Sequence, residues 1–310
     1  MKFCPNCGTE SNGCAICSHC GADLTGGGSS TTPGYDIQEA LAPFESFQNA
    51  DGQTYSIIGL KNKSAREIRI PDCVSVIRKG AFQDCDQLYS AYIPDSVVDI
   101  EKNAFMNCSS LCSLIISKGV KTINSAVFSG CSSLSSIEIP EGVTSIGASA
   151  FSACTSLESV VIPETVTSIG DYAFEGCSDL ETLSLQNEIT SMGTGAFRGC
   201  SSLKTVSLPE NLTAISNSSF ANCSSLRSIA LPNSVQTIGD EAFLECTSLE
   251  SVVFPDQLIF IGTATYKDCS SLTSITVFDE LKAVGDDAFS GCAKLKNIYA
   301  SFRTKRLIKR

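Results

Sequence analysis

From residue 66 to residue 298, apolar and polar positions recur with a period of 23 residues. In one copy Leu157, Val160 and Ile162 alternate inward around Ser159 and Val161, which is strand spacing. Pro163 is expected to end that strand, because proline cannot donate to a ladder. Val166 and Ile169 point inward on a return leg, and Gly170 is read as supplying a turn at the corner. Ala173, Phe174, Cys177 and Leu180 follow at i, i+1, i+4 and i+7, one face of a short helical or 3₁₀ turn. One repeat therefore predicts one coil: strand, corner, second extended leg, helical turn. No such coil buries its apolar side alone, so neighbours must stack into a continuous core.

The repeat is regular enough to number its columns. Cysteine stands at Cys85, Cys108, Cys131, Cys154, Cys177, Cys200, Cys223, Cys246, Cys269 and Cys292. Leucine follows three places later, from Leu88 to Leu295, and phenylalanine precedes by three, from Phe82 to Phe289, with Tyr266 the one exception. A period of about 20–29 residues with this apolar core is the signature of a leucine-rich repeat solenoid. Ten copies stacked at roughly 4.8 Å would span on the order of 45–50 Å. The phrase carried by Ile139-Pro140, Val143, Ile146-Gly147, Ala150-Phe151, Cys154 and Leu157 resembles the BspA-like subfamily of leucine-rich repeats. The resemblance covers about three quarters of the chain. It implies a β-rich repeat solenoid and a binding protein, often at a cell surface, rather than any particular ligand.

The first 24 residues have a different character. Cys4-Pro5-Asn6-Cys7-Gly8 and Cys17-Ser18-His19-Cys20-Gly21 are two C-x-x-C-G knuckles. Four thiolates so spaced can close a tetrahedral structural site, so Cys4, Cys7, Cys17 and Cys20 are expected to hold one Zn²⁺. The segment resembles short N-terminal zinc ribbons. Cys14 is left as a spare thiol, and His19, the only histidine, sits exposed between ligands. A segment this short has almost no core without metal, so metal binding there would be folding energy. Residues 25–34, rich in Gly, Ser and Thr, read as a flexible linker. Residues 35–65 break the period. Asp51-Gly52 predicts a turn before the alternating Tyr55–Gly59 stretch, so a β-hairpin cap is expected over the first coil. The solenoid then occupies 66–300, and 301–310 is a basic tail that covers the last coil or trails from it.

Within the solenoid, the cysteine column shares a face with Phe174 and Leu180 and reads as a ladder of buried structural thiols. Two outward columns flank the strand's inward residue. One is nearly uniform (Ser90, Ser113, Ser136, Ser159, Thr182, Thr205, Ser228, Ser251, Ser274, Asn297) and is expected to face solvent. The other varies, and its Arg69, Tyr92, Ile115, Glu138, Val161, Val253, Thr276 and Tyr299 are the candidate partner-binding face. The column after the repeat's proline is acidic at Asp72, Asp95, Glu141, Glu164, Glu210, Asp256 and Asp279, an acidic ridge along one edge.

The formal charge of −11 weighs against general affinity for nucleic acid. No apolar run approaches the ~18–20 residues of a membrane span, and no apolar run follows Met1-Lys2-Phe3 as in a secretory leader. With 17 cysteines, a cytoplasmic location is expected. Glycine-rich phosphate loops and a G-x-S-x-G motif are missing, and one histidine cannot supply a catalytic triad outside the ribbon. The expected function is a non-enzymatic scaffold that binds a protein partner, with no small-molecule substrate. The alternatives are a surface adhesin exported without a recognisable signal, and a nucleic-acid-linked regulator using the ribbon.

Overall fold

The computed structural model describes residues 36–308. The chain enters through a short helix, α1 (Ile37–Leu41), capped by the Asp36 carboxylate, which accepts from the Gln38 and Glu39 amides. Strand β1 (Phe44–Gln48) then pairs antiparallel with β2 (Tyr55–Leu60). At the turn between them Asp51 Oδ1 accepts the Gln53 and Thr54 amides at 2.8 and 2.9 Å, and Gly52 takes the left-handed conformation. β2 next runs parallel to Val74–Ile77, so the hairpin is also the first rung of a solenoid ladder. Its Phe44 ring packs edge-on against Phe82, with centroids 6.2 Å apart. Leu41, Phe44, Ile57 and Leu60 are buried there, closing one end of the core.

Beyond the hairpin the chain makes about eleven turns of a β-solenoid. One side of most turns is a three-residue strand that pairs in register with an adjacent one: Glu67–Arg69 pairs parallel with Ser90–Tyr92, and that with Ser113–Ile115. The same ladder recurs down to Ser251–Val253, Ser274–Thr276 and Asn297–Tyr299. At Ser228 it thins to a single bridge to Ser251. A second side carries two-residue strands such as Ser145–Ile146 and Ser168–Ile169, again parallel and in register.

The third side departs from the expected helical turn. The described residues hold helices only at α1 and at α2 (Phe302–Ile308). Hydrogen bonds on this side alternate between the coil itself and the next coil. The Phe174 and Gly176 amides donate to Ala196 and Arg198 of the following repeat, while Glu175 and Cys177 bond back to Tyr172 and Phe174. Tyr172 and Gly176 both sit at positive φ, 56° and 70°, and a left-handed residue every fourth position cannot continue a helix. Consecutive β-turns place Ala173, Phe174, Cys177 and Leu180 inward as a helical turn would, so the apolar spacing did not separate the two.

Gly170 also has a different role from the expected one. Its φ is not positive; a Cβ there would lie 2.6 Å from the Ala148 amide nitrogen. Glycine at this column lets one corner lie directly on the previous corner.

The core is a set of parallel columns. From Phe82 to Phe289 the rings stack on one another with centroids 4.8 to 5.7 Å apart. Each buried ring contributes about 1.5–3 kcal/mol by area. At the far end Ser301 precedes α2; its carbonyl accepts the Lys305 amide and its Oγ accepts that of Thr304. Thr304 is buried against Asp279. The final coil stays less covered than the others, with Phe289, Cys292, Leu295 and Ile298 only partly buried.

Candidate functional site: the first strand face

The three-residue strands lie along one side of the solenoid in four hydrogen-bonded groups, broken after Ser113–Ile115, Ser159–Val161 and Thr205–Ser207, and the varied outward column runs along that side. Arg69, Tyr92 and Ile115 occupy successive rungs. The Arg69 guanidinium lies over the Tyr92 ring, 4.6 Å from its centroid, and Tyr92 and Ile115 are half-buried. Glu138 and Val161 are exposed on the next pair of rungs. Val253, Thr276 and Tyr299 follow at the other end, again on successive rungs. Val161, Val253 and Tyr299 are 62%, 61% and 61% exposed, high values for apolar side chains. Val161 and Val253 are four rungs apart, about 19 Å, so the column is not one patch. It divides into a packed N-terminal trio, an isolated valine and a C-terminal group.

The C-terminal group includes residues outside that column. Leu231, Val253, Phe254, Pro255 and Phe278 line a hollow of about 480 Å³. Phe278 is 43% exposed and stands where most repeats have the strand-ending proline. An aromatic residue in a proline column is the signal that could have marked it from sequence. Asp256 and Asp279, both from the acidic ridge, and Glu280 lie exposed beside this group. Elsewhere the ridge has a second use: Asp95 Oδ1 accepts the Lys118 amide of the next coil at 3.0 Å, and Asn187 Oδ1 accepts that of Glu210 at 3.2 Å.

The uniform serine column faces solvent over most of the ladder but not at its start. Ser90 and Ser113 are buried, so the expectation of solvent exposure fails at those two rungs. The Ser90 hydroxyl has no hydrogen-bond partner within the protein.

The thiol column is buried from Cys85 to Cys269 and half-buried at Cys292. Each thiol from Cys108 onward donates to the carbonyl of the aromatic residue one coil back, as Cys200 does to Phe174 at 3.3 Å. Burial pushes the Cys108, Cys154, Cys200 and Cys246 thiols up to about 12. Burial likewise raises Cys131, Cys177 and Cys223 well above the usual thiol range. A thiol kept protonated is a poor nucleophile and a poor metal ligand. Among the described residues no group of three or more His, Cys, Asp or Glu could hold a metal ion. Cys4, Cys7, Cys17 and Cys20 lie outside the described residues. No helix among the described residues is long and apolar enough to cross a membrane.

Comparison with solved structures returns other leucine-rich repeat proteins. One from Eubacterium ventriosum is 17% identical, covers 82% of this chain and 94% of its own, and has a TM-score of 0.52. The T. pallidum leucine-rich repeat protein is 24% identical, covers 71% and 91%, and has a TM-score of 0.50. A leucine-rich cell surface protein from Faecalibacterium prausnitzii is 24% identical over 90% and 98% of the two chains, with a TM-score of 0.47. The first two likenesses are likenesses of fold. None of the curated proteins compared matches the chain. The model of the BspA-type leucine-rich repeat region matches residues 59–181 and 167–296. With its strand, corner and cysteine columns repeated through that span, the chain belongs to the BspA-type leucine-rich repeat family.

Proposed function

We propose that the chain is a non-enzymatic scaffold whose protein partner docks on the C-terminal half of the first strand face. One observation carries this: Val253 and Phe278 stand exposed on the lining of the Leu231–Pro255 hollow, with exposed Tyr299 two rungs on from Val253, on a ladder otherwise rich in serine and threonine. Aromatic and branched apolar groups around a hollow are what a partner's anchoring side chain needs. Asp256, Asp279 and Glu280 at its margin favour an apolar anchor flanked by lysine or arginine. The solenoid's carboxylates stand on exposed columns rather than converging, which supports binding over catalysis.

The test is affinity capture from the source cells with the full chain. Wild type should retain a defined partner that Val253→Glu/Phe278→Asp loses, with melting temperature unchanged. Tyr92→Ser/Val161→Glu, at the other end of the face, should keep it. The reverse pattern would overturn the reading. The count of 17 cysteines supports a reducing compartment, and protease treatment of intact cells distinguishes this from a surface location.

We also propose that Cys4, Cys7, Cys17 and Cys20 hold one structural Zn²⁺, on the strength of the two C-x-x-C-G knuckles. Elemental analysis of the purified full chain should find one zinc per chain. A metal-free chain purified without chelator contradicts it.

A further inference from the structure

We propose that Cys269 and Cys292 are a redox pair, converted by hydrogen peroxide into a disulfide that staples the last coil to its neighbour. Every other pair of adjacent ladder thiols is buried, whereas Cys292 lies in the last coil of the described residues and is only half-buried. Phe289, Leu295 and Ile298 around it are only partly buried, so peroxide can reach this sulfur and the coil has room to adjust.

The two residues occupy the same column in repeats that pair in register, Ser274 with Asn297 and Thr276 with Tyr299. Adjacent rungs stand about 4.8 Å apart, inside the ~4.4–6.8 Å Cα range of disulfides. The two thiols shift each other in opposite senses: interaction with Cys269 lowers Cys292, while interaction with Cys292 and burial raise Cys269. Cys292 therefore ionises first and is the attacking sulfur.

The steps balance. The Cys292 thiolate attacks one peroxide oxygen, the O–O bond breaks, and hydroxide leaves, taking a proton to become water. The resulting sulfenic acid is attacked by the Cys269 sulfur, the S–O bond breaks, and the hydroxide leaves with the Cys269 proton as a second water. Two thiols are oxidised by two electrons and one peroxide is reduced. The reaction orphans no carbonyl. Phe243 and Tyr266 lose their S–H donors but keep the amides of Cys246 and Cys269, each at 3.2 Å.

The experiment treats the full chain with hydrogen peroxide, blocks remaining thiols and maps tryptic peptides. The expected product links the peptide Asp268–Lys282 to Ala283–Lys294 and separates on reduction. Cys292 should be modified more than about tenfold faster than Cys200 in the native chain. In a Cys269→Ser chain, Cys292 should instead be trapped as a sulfenic acid by a dimedone probe. The idea is overturned if the two peptides stay unlinked while Cys292 is oxidised, or if Cys200 and Cys223 link equally.

Discussion

At Tyr266 the aromatic stack admits one polar atom. The ring packs like its neighbours, 5.1 Å from Phe243 and 5.4 Å from Phe289, but its hydroxyl is buried without a hydrogen-bond partner in the protein. Burial holds that phenol far above its usual range. Replacing it with the residue the other repeats use removes an unsatisfied group without opening a hole. Tyr266→Phe is therefore expected to raise stability by about 1 kcal/mol in urea unfolding, and a loss would mean the hydroxyl is satisfied in solution. The break in the phenylalanine column was plain in the sequence. That the hydroxyl would find no acceptor was not, because the column's other ring positions are apolar and say nothing about nearby carbonyls. Phe278 is the converse case. Its departure from the proline column was equally visible, but its meaning needed the neighbouring rungs, which bring Val253 and Pro255 beside it.

The coil is the element, and it was legible in part. The alternation at Leu157–Ile162, the proline stop and the inward cysteine all appear where the 23-residue phrase puts them. The third side was misread because two backbone forms give the same inward set. Consecutive turns use left-handed residues such as Tyr172 and Glu241, which nothing in residue type announces. The corner glycines were misread for a related reason: a glycine can mean a turn or a close approach, and sequence does not separate them. Here the approach is between coils. A Cβ on Gly193 would stand 2.4 Å from the Asp171 amide nitrogen. Gly193→Ala should thus push two coils apart and cost about 1–3 kcal/mol, measured by chemical denaturation. A neutral result would show that the corner relaxes freely. Ser216, in the same column, uses its hydroxyl to donate to the Met192 carbonyl.

Over the whole molecule, order runs along the stack. The α1–hairpin unit seals one end and α2 partly covers the other, so the column thiols from Cys85 to Cys269 are buried while the last coil leaves Cys292 within reach of solvent. The same axis organises the face. Its serine and threonine positions are set by the repeat, and its individuality is concentrated at the ends, as Arg69 over Tyr92 and as the Val253, Phe278 and Tyr299 group. The varied sequence column named eight face residues from Arg69 to Tyr299, but it treated eleven rungs as one surface; only the rung spacing shows that the C-terminal group stands apart from Val161. The most direct measurement is titration calorimetry of the captured partner against the intact chain and its Val253→Glu/Phe278→Asp variant. Binding should be weaker by about 100-fold in the variant, close to 3 kcal/mol, at unchanged stability. Equal affinity in the two chains would contradict it.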